Sequence, residues 1–204
     1  MIDGRLLAFV AVAAVLIVTP GPDTALTVRN ALTGGRRVAL ESAVGIACGQ
    51  LVWGAAAGGG VAAVLAASAL AFGLLKLAGG IFLLLLGLRT LFGALRGRPA
   101  ALDAGSSRRW RSAYLQGFAN NLLNPKAAVI FLSVFPAFVR AGDSSARLAI
   151  MAVAFAGLTL GWLSLYAVVL GALRRQFGPK LKRSLDAVAG SVMVGLGARL
   201  ALER

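Results

Sequence analysis

Long apolar stretches, separated by short clusters of charged, Gly and Pro residues, dominate the chain. Residues 42–75 and 148–173 contain no Asp, Glu, Lys or Arg. Each stretch is longer than the roughly 20 residues that a helix needs to cross a bilayer. Hydropathy along the chain predicts six membrane helices at about 6–28, 40–66, 69–92, 113–138, 147–173 and 184–202. The sixth is the weakest prediction, because Asp186 and Arg199 must reach its ends or face protein.

Composition supports a membrane protein. The 204 residues are 59% hydrophobic and only 14% charged, against about a quarter charged in ordinary soluble domains, and the mean hydropathy is +0.85. Arg5 and the apolar run behind it resemble a signal peptide, but no small-residue cleavage site follows, so we interpret this run as the first span. Six spans leave room for one transmembrane domain over residues 1–204.

The basic residues predict the orientation. Fourteen of the 21 Lys and Arg residues fall in the first, third and fifth connections, Arg29 and Arg89 among them, against five at the termini and in the other connections. The positive-inside rule therefore places both termini on the extracytoplasmic side. No basic region has the interleaved aromatic residues that nucleic-acid recognition requires, so the net charge of +14 does not indicate such a partner.

The connection at residues 93–112 is rich in Gly, Ser and Arg and is typical of a flexible linker. It separates a first repeat (1–92) from a second repeat (113–204), with three predicted spans in each. Two such halves enter the membrane in opposite senses, as in inverted-repeat transporters. The predicted fold is therefore an all-α membrane protein of six helices in two inverted three-helix repeats.

The first predicted span is interrupted by Thr19, Pro20, Gly21, Pro22 and Asp23. Two prolines around a glycine cannot support a continuous helix. A break inside the membrane needs protein or a water-filled cavity around it, and it aims the positive end of a half-helix into that space. This arrangement suits a carboxylate ligand. The alternative is an ordinary proline kink with Asp23 as its N-cap.

A matching interruption, Asn124-Pro125-Lys126, lies inside the fourth predicted span. Paired breaks in corresponding helices of two halves indicate a substrate site near the membrane midplane. Lys126 is costly at that depth, and we expect Asp23 as its counter-ion, unless Lys126 instead extends to the cytoplasmic face. Uncharged groups could bind the substrate or repair the broken backbone: Gln50, Gln116, Asn120, Asn121 and Asn124.

Other chemistries find little support in the residues. Cys48 is a single cysteine and the chain has no histidine, so we expect no disulfide, no metal site and no cofactor. An enzyme would need a nucleophile with a base, and we find no such pair. An ion or metal efflux carrier is the main alternative, but it would require several acids or thiols within the spans.

GxxxG spacings on the second and fifth spans favour helix packing or a homodimer contact over ligand binding. They comprise three pairs: Gly45 and Gly49, Gly54 and Gly58, Gly157 and Gly161.

The order of these motifs resembles the LysE/RhtB family of amino-acid exporters. The resemblance rests on the 19–23 break, the Gly-Gly-Arg-Arg turn at 34–37, the Gly45-x-x-x-Gly49 face, the Leu75-Lys76-x-x-Gly79-Gly80 run and Asn124-Pro125-Lys126-Ala127. It implies a multi-pass carrier of the bacterial inner membrane that exports amino acids, driven by the proton motive force. Relatives often place a histidine in the second span, where this chain has Gln50 to Trp53.

A proton relay in this chain must therefore use a carboxylate. Asp23 is the better candidate, because Glu41 follows Arg36 and Arg37 at the start of the second span, where an ordinary structural role is expected. Lys76, in the third span, either extends to the outer face or joins the site as a second cation.

Overall fold

The computed structural model describes residues 3–59, 68–96, 106–140, 143–176 and 178–202. The regular elements in these ranges are helices, which confirms the all-α prediction for them: α1 (Gly4–Val18), α2 (Pro22–Gly34), α3 (Arg36–Gly58), α4 (Ala69–Leu95), α5 (Ser106–Leu122), α6 (Pro125–Ala137), α7 (Ser145–Gln176) and α8 (Pro179–Leu202). Residues 97–105, the centre of the predicted linker, lie outside the described ranges.

Helices are interrupted at both proline motifs. The N-terminal helix α1 starts at an Asp3 cap, whose side chain accepts a hydrogen bond from the Leu6 amide, and it ends at Val18. After the break, α2 starts at Pro22 and is bent by 54° from α1. The second break lies between α5 and α6, where Asn124 caps a helix whose first residue is Pro125. Proline is well suited to this first helical position, because its missing N–H would have no partner there.

Helices long and apolar enough to span a membrane are fewer in the described ranges than the six expected. The structure has three, Arg36–Gly58, Gly73–Leu95 and Ser145–Arg174, and a fourth if the bent pair of α1 and α2 counts as one span. The apolar helix Pro125–Ala137 is too short to qualify alone, and residues Ile130–Val134 within it form a π-helical turn. The described helices thus support a multi-pass membrane protein.

Glycines let α3 and α5 pack closely side by side. A Cβ atom at Gly45 would lie 2.1 Å from the carbonyl oxygen of Tyr114, and one at Gly117 would lie 2.0 Å from that of Ser42. Side chains at these positions would separate the two helices. Gly49, one turn after Gly45 on α3, approaches Asn121, which is one turn after Gly117 on α5. The two helices therefore run in the same direction.

The pair α4 and α8 packs in the same manner but in opposite directions. A Cβ at Gly80 would lie 2.8 Å from the carbonyl oxygen of Gly197, and one at Gly87 would lie 2.9 Å from that of Gly190. Such contacts let two backbones meet directly.

Helices α3 and α7 are also antiparallel, since Gly54 near the end of α3 meets Ala152 near the start of α7. The expected packing role of the α3 glycines is therefore observed. Gly157 and Gly161 differ, because an added Cβ on either would meet no described atom within 4 Å.

Candidate substrate site at the helix breaks

The carboxylate of Asp23 is fixed by two asparagines of the second half. Asp23 is the second residue of α2, and its Oδ1 and Oδ2 accept hydrogen bonds from Asn120 Nδ2 at 2.7 Å and Asn121 Nδ2 at 2.8 Å. A negative charge at this position is favourable, because the N-terminus of a helix carries partial positive charge. The carboxylate therefore links the first break to α5 and is not a simple N-cap.

Packing of α3 positions one of these asparagines. The absence of a side chain at Gly49 leaves room for Asn121, whose Oδ1 would lie 2.7 Å from a Cβ there. Trp53, one turn further along α3, donates from its indole Nε1 to the Asn121 backbone oxygen at 3.3 Å. The GxxxG face of α3 thus positions a direct partner of Asp23.

Lys126 binds the end of α1. Its ammonium donates hydrogen bonds to the carbonyl oxygens of Leu16 at 2.8 Å and Thr19 at 2.5 Å. The last carbonyl groups of a helix lack partners within the helix and carry partial negative charge, so a cation there is stabilised. Gly21 leaves space for the chain of Lys126, whose Cδ would lie 3.1 Å from a Cβ at that position.

Asp23 and Lys126 interact electrostatically, as expected of counter-ions, but the charged atoms of these two described residues form no direct ion pair within 4 Å. Each finds other partners within hydrogen-bond distance. The alternative in which Lys126 extends to the cytoplasmic surface is also absent, because its ammonium lies at the first break. Both charges instead line the wall of one cavity.

This cavity lies between the two breaks and has a volume of about 40 Å³, enough for a few water molecules. An amino acid could enter only if the surrounding helices moved apart. Residues of α1, the first break, α2, α3, the second break, α6 and α7 form its wall: Leu16, Ile17, Gly21, Asp23, Thr24, Gln50, Asn124, Lys126, Ala127, Ile130, Phe155, Thr159 and Leu163.

The remaining predicted site residues lie either at the helix breaks or away from the cavity. At the breaks, Thr19 and Pro20 are exposed, Pro22 starts α2, and Pro125 is buried at the start of α6. Glu41 is buried on α3 and pairs with Arg37 at 3.2 Å, and it is not part of the cavity wall.

Lys76 belongs to α4, and its side chain lies outside what the structure describes.

The two helix starts at the breaks differ in their capping. At α6 the Asn124 side chain accepts a hydrogen bond from the Lys126 amide at 3.0 Å. At α2 the cap position is Gly21, and no side-chain cap bonds the first turn. The first N–H groups of a helix need partners from outside it. At the start of α2, no side-chain cap therefore competes with a ligand for the first amides.

A second buried charge was missed from the sequence. Arg29 was assigned to a cytoplasmic connection, but it lies inside α2 with 2% of its surface exposed. Its guanidinium donates to Thr90 on α4 at 2.9 Å, to Asn30 at 2.8 Å and to Gln116 on α5 at 3.2 Å. The buried carboxylate of Asp186 on α8 interacts electrostatically with Arg29. The available signal was Asp186, a carboxylate inside the predicted sixth span.

We call this group the Arg29 network: Arg29, Asn30, Thr90, Gln116 and Asp186. Arg174 of α7 extends it, because its guanidinium donates to the carbonyl oxygens of Leu32 and Thr33 at the end of α2. The network thereby joins α2 to α4, α5, α7 and α8.

An ionic cluster joins the start of α1 to the start of α7. Arg5 binds both carboxylate oxygens of Asp143, at 3.1 and 3.2 Å, and Arg147 binds Asp3 at 2.9 Å. The hydrogen bond from Arg147 lowers the pKa of Asp3, and the hydrogen bonds from Arg5 lower the pKa of Asp143. We call these four residues the terminal cluster. It lies at the α1 end that the charge distribution assigns to the extracytoplasmic side.

Apolar helices with charged groups at internal breaks define a multi-pass membrane protein that contains a polar internal site. The LysE type translocator family matches residues 14–204. The chain therefore belongs to this family of transporters, as the motif order predicted.

Curated relatives extend over nearly the whole chain. The threonine efflux protein of Escherichia coli (strain K12) is 33% identical over 98% of this chain and 100% of its own length. The threonine efflux protein of Salmonella typhimurium (strain LT2) is 32% identical over 93% of this chain and 94% of its own length. The uncharacterized membrane protein YrhP of Bacillus subtilis (strain 168) is 26% identical over 97% and 98%. No solved structure matches the chain at a significant level.

Proposed function

We propose that the protein exports a small neutral amino acid, threonine or a close analogue, across the bacterial cytoplasmic membrane in exchange for protons. The observation that carries this proposal is the single cavity between the two helix breaks, with Asp23 and Lys126 both in its wall. An amino acid carries one charge of each sign, so a site with one anion and one cation matches it. The threonine efflux relatives support the substrate class.

The proposed topology has six crossings: α1 with α2, α3, α4, α5 with α6, α7, and α8. If successive crossings alternate in direction, the second crossing is parallel to the fourth. The third crossing is then antiparallel to the sixth. The parallel packing of α3 with α5 and the antiparallel packing of α4 with α8 agree with this order. The bias of basic residues supports extracytoplasmic termini even without Arg29.

In the proposed cycle the substrate carboxylate binds between Lys126 and the start of α2. An ammonium group has three N–H donors, and the Leu16 and Thr19 carbonyl groups occupy two of them in the described structure. The third, with the uncapped amides of Asp23 and Thr24, can bind the carboxylate.

The carboxylate of Asp23 accepts the substrate ammonium. After the amino acid leaves to the outside, a proton replaces it on Asp23 and returns the carrier to the inward-facing state. Asn120 and Asn121 hold the Asp23 side chain in place through the cycle. Because one carboxylate alternates between ammonium and proton, amino-acid export is coupled to proton entry.

Transport by purified protein in lipid vesicles tests the proposal. Vesicles loaded with labelled threonine, lysine or glutamate are given a pH gradient, and release is followed with and without a protonophore. We expect gradient-dependent release of threonine only. Release of none of the three, or release unaffected by the protonophore, contradicts the proposal. An overproducing strain challenged with amino-acid analogues gives an independent check of substrate class.

A further inference from the structure

Two buried polar atoms in the cavity wall have no hydrogen-bond partner among the described residues. They are Oε1 of Gln50 on α3 and Oγ1 of Thr159 on α7. Both residues are buried, each with 4% of its surface exposed. A buried polar atom without a partner is destabilising, so its presence beside a cavity indicates that something else binds it.

Unpartnered oxygens elsewhere in the site do not share this position. Asn120 and Asn121 also have free Oδ1 atoms, but neither residue lines the cavity, and both are committed to Asp23 through their amide nitrogens. Gln50 and Thr159 do not bind Asp23 in the described structure. They also lie outside both break motifs, so they are independent of the groups assigned to the substrate carboxylate and ammonium.

The surroundings of Thr159 restrict what can bind there. Phe155 and Leu163, one turn before and one turn after it on α7, line the same cavity. The hydroxyl is therefore a polar point on an apolar face. Asp23 is the only carboxylate among the described residues of the wall, and it is already assigned to the substrate ammonium. A cationic substrate side chain would therefore find no second counter-ion among these described residues.

We propose that Gln50 and Thr159 form the subsite for the substrate side chain and select a short side chain that carries a hydroxyl group. A hydroxyl donates one hydrogen bond and accepts others. It can donate to the acceptor Oε1 of Gln50 and accept from the Thr159 hydroxyl. This inference rests on the proposed function, and it assigns the two residues that recognise the substrate side chain.

Valine has the shape of threonine with a methyl group in place of the hydroxyl, so the two amino acids isolate the hydrogen bonds. A site built to bind a hydroxyl leaves its own polar groups unpaired when the analogue lacks one. We expect wild-type protein in nanodiscs to bind threonine roughly 10- to 100-fold more tightly than valine. Competition against labelled threonine measures both dissociation constants.

The variants test the two residues separately. Thr159→Val removes the hydroxyl at constant shape, and we expect the threonine-to-valine preference to fall to about threefold or less through weaker threonine binding. Gln50→Leu should reduce the preference in the same direction. Thr159→Ser keeps the hydroxyl and should retain most of the preference.

Thr33→Val is the matched control, because the Thr33 hydroxyl bonds the Arg29 carbonyl at 2.9 Å outside the cavity, so the variant should keep the wild-type preference.

The outcomes separate this inference from the proposed function. Wild-type protein that binds threonine and valine equally overturns the subsite while leaving amino-acid transport intact. An unchanged preference in both Thr159→Val and Gln50→Leu overturns it as well. Binding of no amino acid at all overturns both proposals.

Discussion

The cavity between the helix breaks and the Arg29 network both place charged side chains inside the protein, and they differ in how those charges are satisfied. Arg29 uses its donors on Thr90, Asn30 and Gln116, and it interacts electrostatically with the like charge of Arg89 and the opposite charge of Asp186. Both regions contain buried polar atoms without a described partner, on Asn30 and Asp186 in the network and on Gln50 and Thr159 at the break site. Those of the break site line a cavity beside an uncapped helix start.

The difference teaches that burial of charge alone does not identify a substrate site. Groups that bind one another across several helices hold those helices together, as the Arg29 network does for α2, α4, α5 and α8. Groups left with free donors or acceptors beside a cavity are available to a ligand. We therefore expect substitutions in the two regions to separate binding from stability.

The largest expected effect on binding is that of Lys126→Ala. Loss of the ammonium removes a charge-assisted contact with the substrate carboxylate, and we expect affinity for threonine to fall roughly 10- to 150-fold, which corresponds to about 1.5–3 kcal/mol. Equilibrium binding to purified protein in nanodiscs measures this. Wild-type affinity in the folded variant would remove Lys126 from the substrate site.

The largest expected effect on stability is that of Arg29→Gln. It removes one of the two cations that interact with the buried Asp186 carboxylate, the other being Arg174, and the donor to Thr90, Asn30 and Gln116. Removing one partner of a buried charge costs about 3–5 kcal/mol. At roughly 2–4 °C per kcal/mol for a chain of this size, thermal unfolding in detergent should shift down by about 6–20 °C.

Combining Arg29→Gln with Asp186→Asn should recover part of this loss, since the double variant buries no unpaired charge. Folded Arg29→Gln protein should bind threonine with nearly wild-type affinity. Strongly weakened binding at unchanged stability would reverse the assignment of the two regions.

A smaller loss of stability is expected when the close packing of α3 against α5 is disturbed. Gly117→Ala places a methyl group on the Ser42 carbonyl, and overpacking of this kind costs about 1–3 kcal/mol. Gly157→Ala is the matched control, because an added Cβ there meets no described atom within 4 Å. Equal thermal stability of the two variants would contradict the close approach of α3 and α5.

Removing an ion pair of the terminal cluster should give the smallest loss of thermal stability, and the size of this loss should depend on pH. Because the folded-state pKa values of Asp3 and Asp143 lie below their unfolded values, their ion pairs stabilise the protein above the unfolded pKa of about 3.9. The contribution is lost as pH falls through the folded pKa values. Thermal unfolding between pH 6 and pH 3 should show a steeper decline for wild type than for Asp143→Asn. Identical profiles would remove the cluster from the stability of the fold.

Local chemistry made part of this architecture predictable. Pro20, Pro22 and Pro125 cannot continue a helix, so both breaks could be placed from the sequence alone. The close approach at Gly45 and Gly49 likewise follows from residue size and spacing.

The partners of the charges were not predictable, because they depend on how distant helices meet. The sequence suggested Asp23 for Lys126, but the carbonyl oxygens at the end of α1 bind it, and sequence patterns carry no information on such backbone partners. Arg29 was misplaced because it directly follows the predicted first span. Thr159 was missed because a lone threonine in an apolar helix has no signal until the cavity beside it is known.

The central claim is that Asp23 exchanges the substrate ammonium for a proton, and vesicle transport by Asp23→Asn tests it most directly. Labelled threonine is followed in two modes, exchange at equal pH and net movement driven by a pH gradient, with Asp143→Asn as the control acid outside the cavity. The account predicts that Asp23→Asn retains some exchange but loses net movement driven by the gradient, while Asp143→Asn keeps both. Net movement by Asp23→Asn that responds to the gradient as wild type does would contradict the claim.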